Sequence, residues 1–410
     1  MRRLAVLVVA LAGALPATAS AQDTQLLVKR LTGEMRAAGS LSGAYVQNLD
    51  TGGSLFRWRQ HRPRILASNT KLFTTSAALA RFGTEGTLST TVLGDGELDL
   101  EGVYRGSLYL RGGGDPTFGS RKFARRSYGG GGAVQDLALL LDDIGIERVT
   151  GRVYGDESAF DSLRGGPESG FGVSVWVGPL SGLSFNRGLF TETGRGYQAN
   201  PPAFAAARLD DALGARGIRV RLKPRERPTP ADAELLAVEP SPSMDTVVRI
   251  TNKPSDNFFA EMLLKALADH AGGTGTTARG ARIARRFATR LGAGARIADG
   301  SGLSRGNRAS PFRIVRLLAA VSRRDEYDAF RDSLPVAGRD GTLYDRMRRG
   351  PARGRCQAKT GTLSNVSALS GYCDSRSGDT YVFSVLMNGV YPTSARRLQD
   401  RMLQALVKYG

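Results

Sequence analysis

The sequence predicts a mixed α/β (α+β) fold in which helices pack against a sheet and a large insertion separates the two halves of that core. Three features carry the expectation. The chain has 410 residues, 41% hydrophobic and 23% charged, enough to bury a large core and long enough for two or three domains. Near both ends, helical and strand-like patterns follow one another closely, which is the order of a layered core. Between residues 86 and 245 the texture changes to short β-branched runs separated by glycine-rich loops.

The elements follow in order. Met1-Arg2-Arg3, the apolar run from Leu4 to Leu15 and Ala19-Ser20-Ala21 form a secretory signal peptide, with cleavage expected after Ala21. The alternative is an uncleaved anchor, although the apolar run is short for a span. Export places the mature chain in the periplasm or outside the cell. Leu26 to Ala38 reads as a helix, and Ser42 to Leu49 and Gly53 to Trp58 as strands joined by Asp50-Thr51-Gly52. Leu66 to Phe82 is a helix with Ala67, Phe73, Ala77 and Ala80 on its apolar face and Gly83 as its stop. In the insertion, Thr90 to Leu93, Gly106 to Leu110 and Arg148 to Tyr154 are strands, and Val134 to Ile144 and Ala203 to Leu213 are helices. The proline-rich stretch from Pro224 to Pro242 reads as its exit. Helices return at Phe258 to Ala268, Ala278 to Leu291 and Pro311 to Val321. Strands at Gln357 to Thr362, Ser370 to Cys373 and Thr380 to Met387 precede a last helix, Ser394 to Val407.

Net charge is +19, and arginine carries it, since only eight of 57 basic residues are lysine. In an exported chain this balance excludes nucleic acid and leaves anionic cell-wall polymers or membrane surfaces, or simply a solvated basic surface. Cys356 and Cys373 flank a strand-turn-strand segment with Ser364-Asn365 at its turn, so they can face one another across a hairpin. A disulfide is expected in an oxidising compartment, with two free buried thiols as the alternative.

Three short motifs stand in order: Ser68-Asn69-Thr70-Lys71, Ser255-Asp256-Asn257 and Lys359-Thr360-Gly361. A serine hydroxyl is a poor nucleophile until a base takes its proton. Residues three apart on a helix share a face, so Lys71 meets Ser68 if Ser68 opens the helix running to Phe82. A buried amine beside another cation, here Lys359, can lose its proton near neutral pH, which a guanidinium cannot. Each motif alone has a bland reading, as a helix cap, a capping loop or a strand end. Their order gives them weight.

S-x-x-K, S-D-N and K-T-G in this order form the signature of class A β-lactamases and penicillin-binding proteins. The chain more closely resembles the class C low-molecular-mass penicillin-binding proteins, D-alanyl-D-alanine carboxypeptidases and endopeptidases (peptidase family S13). The similar segments are Leu66 to Lys71, Gly112-Gly113-Gly114-Asp115-Pro116, Ser255 to Glu261, Asp299-Gly300-Ser301-Gly302-Leu303-Ser304 and Lys359 to Leu363. The long span from Ser68 to Ser255 also matches a family that carries an insertion there. The resemblance implies a penicillin-binding, β-lactamase-like core with an antiparallel sheet flanked by helices. It divides the chain into a signal peptide (1–21), a split catalytic domain (22–85 and 246–410) and inserted accessory region (86–245). It also implies the roles. Ser68 forms an acyl-enzyme, Lys71 accepts its proton, Ser255 relays a proton to the leaving D-alanine, Asn257 holds the substrate amide and Lys359 stabilises charge. Backbone N–H groups of Ser68 and Thr362 form the oxyanion hole. Thr360, Gly361 and Thr362 bind substrate, the two hydroxyls taking its terminal carboxylate. Asp256 is structural, and Asp156 in the insertion is a candidate to meet a cationic group of the stem peptide. The expected partners are peptidoglycan peptides and β-lactam inhibitors.

Other chemistries fit less well. Gly302 to Gly306 matches the G-x-S-x-G elbow, but both histidines, His61 and His270, precede Ser304, which is read as a loop residue. No cofactor or metal is expected, because the histidines lie far apart and no phosphate-binding loop follows Gly112. A class A β-lactamase places a glutamate after S-D-N to hydrolyse its acyl-enzyme, yet no glutamate occurs between Glu261 and Glu326. Glu261 is expected to be packed or ion-paired. A silent wall-binding protein of the same fold remains the non-enzymatic alternative.

Overall fold

The structure, a computed structural model, describes residues 21–410, so the segment expected to be a signal peptide lies outside the described residues apart from Ala21. Among the described residues no helix is long and apolar enough to cross a membrane.

A five-stranded antiparallel sheet has the order Cys356–Leu363, Val366–Asp374, Thr380–Asn388, Gly43–Asn48, Ser54–Trp58. It therefore joins the two ends of the chain. The run from Tyr381 to Met387 is buried throughout because both faces of the sheet are covered. Side chains alternate sides along a strand. Val382 and Leu386 thus enter a cluster with the helices Lys71–Phe82, Asn257–Asp269 and Pro311–Val321. Phe383, Val385 and Met387 enter the opposite cluster, with Leu27, Leu31 and Met35 of the first helix, Ala21–Ala37, and Met402 and Leu403 of the last, Pro392–Tyr409. Asn257–Asp269 is the central helix, with every residue from Phe258 to Ala268 buried.

Cys356 and Cys373 are register partners in the first hairpin and are joined by a disulfide. The chain turns at Ser364-Asn365, where Asn365 takes the left-handed conformation (φ 56°) that such turns require.

A second, seven-stranded sheet is built within residues 89–240, from strands including Ser89–Gly94, Leu108–Gly112 and Arg148–Asp156. The proline-rich stretch is not merely an exit. Arg219–Glu226 pairs with Arg148–Asp156, and Glu234–Pro240 pairs with Ser89–Gly94, so the strand leaving this region lies beside the strand entering it. Pro224 lies in an edge strand and Pro240 at a strand end, where a missing N–H costs little, and Pro228, Pro230 and Pro242 lie in loops. Residues between the two sheets stitch them together, since Ala159, Phe160, Val177 and Leu180 share the core of the central helix.

Candidate active site

Ser68 lies in a short 3-10 turn, Ala67–Thr70, which runs into the α-helix Lys71–Phe82. It precedes the α-helix by one turn instead of opening it, yet the three-residue spacing still brings Lys71 Nζ to 3.2 Å from Ser68 Oγ. Ala67 holds a left-handed conformation (φ 47°), uncommon for a residue with a Cβ and a mark of a constrained site. The constraint comes from close packing on both sides. A Cβ on Gly302 would lie 2.0 Å from Ala67 O, and one on Gly361 would lie 3.1 Å from Ser68 N. Two glycines are thus needed for the turn to approach the Asp299–Ser304 loop and the Lys359 strand.

Asn69 ties that turn down. Its Nδ2 donates to Lys359 O at 2.9 Å and its Oδ1 accepts from Ser370 Oγ at 2.6 Å, all buried.

Lys71 is fully buried. Its Nζ donates to Asn257 Oδ1 and to Ser301 O, each at 2.7 Å. Burial lowers its pKa to about 8, against the opposing pull of Asp256, Asp299 and Glu261. A neutral amine has two N–H groups and one lone pair. With both hydrogens given to carbonyl oxygens, the lone pair faces the Ser68 hydroxyl, the geometry of a general base.

Lys359 is also fully buried, and its Nζ donates to Thr360 O at 3.0 Å. Burial and then Lys71 push its pKa well down. Burial is the largest cause for both lysines, and a charge on either ammonium disfavours charge on the other.

The S-D-N loop supplies the next wall. Ser255 is in a left-handed conformation (φ 64°) and lines a cleft of about 460 Å³ with Ser68, Thr360, Gly361 and Thr362. Asn257 begins the central helix, and its Nδ2 donates to Trp176 O at 3.1 Å. Asp256 caps that helix by accepting from Phe259 N at 3.0 Å. It also takes two hydrogen bonds from Arg187, at 2.5 and 3.2 Å. The Arg187 guanidinium stacks over Phe258, 5.1 Å from the ring centroid.

Thr360 and Thr362 project from the outermost strand of the sheet. Thr360 Oγ1 is 2.7 Å from Thr342 Oγ1, and Arg396 Nη2 donates to Thr362 Oγ1 at 3.1 Å.

Beneath Lys71, Glu261 is packed but not ion-paired. It accepts from Gly300 N and from Ser301 N at 2.8 Å, orienting the loop whose Ser301 carbonyl reaches Lys71. Burial and the neighbouring Asp299 push its carboxyl up to about 8, against the three N–H bonds it accepts. Asp156 departs from expectation. It is buried and accepts from Thr229 N, Thr229 Oγ1 and Ser158 N, so its oxygens are occupied inside the fold. Ser304 sits in the loop, its N–H donating to Asp299.

All eight residues singled out in the three motifs and their flank converge here, but sequence reasoning missed Asn69, Ser301, Arg187, Thr342 and Arg396. Ser301 contributes a backbone oxygen, which no residue identity reports. The arginines carried no signal in a chain so rich in them.

A model of the D-Ala-D-Ala carboxypeptidase 3 (S13) family matches residues 25–193 and 191–409. The chain belongs to the S13 family. Its activity is that family's, serine-dependent D-alanyl-D-alanine carboxypeptidase chemistry. This S13 chain is 29% identical to the D-alanyl-D-alanine carboxypeptidase of Actinomadura sp. (strain R39), over 98% of its own length and 88% of the relative's. It is also 29% identical to carboxypeptidase DacB of Mycolicibacterium smegmatis, over 85% and 76%. Among solved structures, penicillin binding protein 4 of Haemophilus influenzae shares the fold, with a TM-score of 0.77, 20% identity and coverage of 92% of this chain and 99% of that one.

Proposed function

We propose that this chain is an exported serine DD-peptidase that removes terminal D-alanine from peptidoglycan stem peptides through an acyl-enzyme on Ser68, and that it also cuts D-alanine cross-links. The observation that carries the reading is the Lys71 amine, 3.2 Å from Ser68 Oγ with its hydrogens engaged by Asn257 and Ser301.

Ser68 Oγ attacks the carbonyl carbon of the penultimate D-alanine while Lys71 takes the hydroxyl proton. The tetrahedral oxygen sits at the N–H groups of Ser68 and Thr362, where donors fixed in advance stabilise the developing charge. The C–N bond then breaks, and Ser255 gives its proton to the departing amine while taking in its place the one that Lys71 had accepted from Ser68. Water cleaves the resulting ester, releasing the shortened peptide and restoring Ser68. Asn257 orients the substrate amide, and Thr360, Gly361 and Thr362 hold the leaving residue. A substrate carboxylate entering beside Lys359 favours its charged form, because a nearby anion raises the pKa of a buried amine.

The catalytic domain comprises residues 22–85 and 246–410, with 86–245 inserted and a signal peptide before Gln22. The disulfide supports an oxidising compartment. The +19 surface fits contact with anionic wall polymers. Glu261 faces the backbone of Gly300 and Ser301 instead of a water beside Ser68, which supports slow deacylation and inhibition by β-lactams over their hydrolysis.

Product analysis on defined monomeric and cross-linked muropeptides tests this reading. The wild-type protein should release D-alanine from pentapeptides and separate cross-linked dimers, and Ser68→Ala should do neither. Turnover that survives in Ser68→Ala would rule the mechanism out.

A further inference from the structure

The +19 charge is not spread evenly along the chain. Residues 86–245 hold 18 basic and 21 acidic residues, whereas residues 271–324 hold twelve arginines and a single acid, the buried Asp299. Of those twelve, only Arg324 has an ion-pair partner among the described residues, Glu326.

Several of these arginines form a continuous track that starts beside the cleft. Gly302 packs against Ala67, and three residues on, Arg305 donates to Ser364 O at 2.6 Å, at the turn just past Thr362. Beside that turn, Arg305, Arg308 and Arg62 line a cavity of about 330 Å³. Arg308 and Arg296 are antiparallel partners, each N–H donating to the other's carbonyl, at 2.9 and 2.8 Å. Further on, Arg313 donates to Gly292 O at 2.6 Å, and a Cβ on Gly292 would lie 3.4 Å from Arg316 Nη2. Arg290, two residues before Gly292, ends the track. All of these arginines are exposed.

Paired residues on facing strands put their side chains side by side, and like charges so placed repel. The Arg296–Arg308 pair therefore opposes folding slightly when bare, and an anion lying between the two guanidinium groups reverses the sign. Each guanidinium offers a planar fork suited to carboxylates. Between residues 271 and 324 no large apolar side chain is exposed, so the track lacks the apolar anchor of a membrane-surface element. Because it begins at the cleft, its occupant is continuous with the substrate held there.

We propose that this arginine track is an extended binding surface for polymeric peptidoglycan, holding the carboxylates of stem peptides that neighbour the one in the cleft, so that the enzyme acts on the polymer in preference to free peptides. This rests on the DD-peptidase reading and deepens it, assigning a defined surface to the contact with the wall.

The test measures D-alanine release from pentapeptide-rich sacculi, stripped of phosphate polymers with hydrofluoric acid, and from a soluble pentapeptide. Wild type is compared with a track variant carrying Arg296→Gln, Arg308→Gln and Arg316→Gln. A control variant carrying Arg36→Gln, Arg221→Gln and Arg349→Gln removes the same charge from scattered exposed positions. The ratio of the rate on sacculi to the rate on soluble peptide should fall about tenfold in the track variant, the size expected of three exposed ion pairs. In the control it should fall less than about twofold. Salt at about 0.5 M should bring the wild-type ratio down to that of the track variant, because exposed pairs are screened. Equal falls in both variants, no fall in the track variant, or a fall confined to sacculi that keep their phosphate polymers would overturn the inference and leave the DD-peptidase reading in place. A wild type that cleaves neither substrate and takes no penicillin on Ser68 would remove that reading and this one together.

Discussion

Lys71 is where physical chemistry decides the outcome. A lysine in water is almost wholly protonated at pH 7, but burial brings Lys71 to about 8, within reach of neutrality. The base works only when unprotonated, so acylation should rise with pH through about 8 and level off above it, falling roughly tenfold per unit below. Rates of Ser68 labelling by a fluorescent penicillin between pH 6 and 10 check this. A flat profile would mean that another group takes the proton. Ser68, Lys71 and Lys359 were legible because chemistry restricted the residue types and rare lysines marked two of the positions. The completeness of the Lys71 burial was not legible. Desolvation depends on what packs around Lys71, and the sequence does not show how completely Asn257, Ser301 and their neighbours enclose the amine.

The elements show the same division. Short apolar and β-branched runs and period-3.6 patterns located the strands of the first sheet and most helices, because both sheet faces and the helical stripes are buried. Arg121–Tyr128 escaped notice because only Phe123 and Ala124 of its eight residues are buried, leaving little apolar pattern to detect. At the S-D-N loop, Arg187 pairs with Asp256 and stacks on Phe258, holding from the outside a loop that includes the left-handed Ser255. Replacing Arg187 with Met keeps apolar contact but strands a half-buried carboxylate, a loss of about 2 kcal/mol for a hydrogen bond to a charged group. Denaturant titration should show that loss, and penicillin acylation should slow by about tenfold as Ser255 and Asn257 lose their register. Unchanged stability and rate would place the loop's support elsewhere. The disulfide across the first hairpin closes a separation of 17 residues. Cys356→Ser with Cys373→Ser should cost about 3 kcal/mol by the loop-entropy account. Melting of the double variant measures it, and two titratable thiols in the unreduced native protein would contradict the bond itself.

At the scale of the whole molecule, the first sheet depends on both ends of the chain, since Gly43–Asn48 lies beside Thr380–Asn388. The intervening sheet was expected as an insertion from glycine-rich texture and from the long Ser68 to Ser255 span. What that texture did not reveal is how residues 157–188 return to the core, bringing Trp176 O to Asn257 and Arg187 to Asp256. Such contacts join positions far apart in sequence and have no local pattern. The segment 157–188 thus supports the S-D-N loop from outside the cleft. The central claim, that Ser68 is acylated and then released slowly, is tested most directly by intact mass analysis of the protein with benzylpenicillin, followed by peptide mapping over hours. The account predicts one penicilloyl group on the peptide containing Ser68, persisting long after free drug is removed and absent in Ser68→Ala. Rapid, multiple-turnover consumption of penicillin, or an adduct that survives in Ser68→Ala, would contradict it.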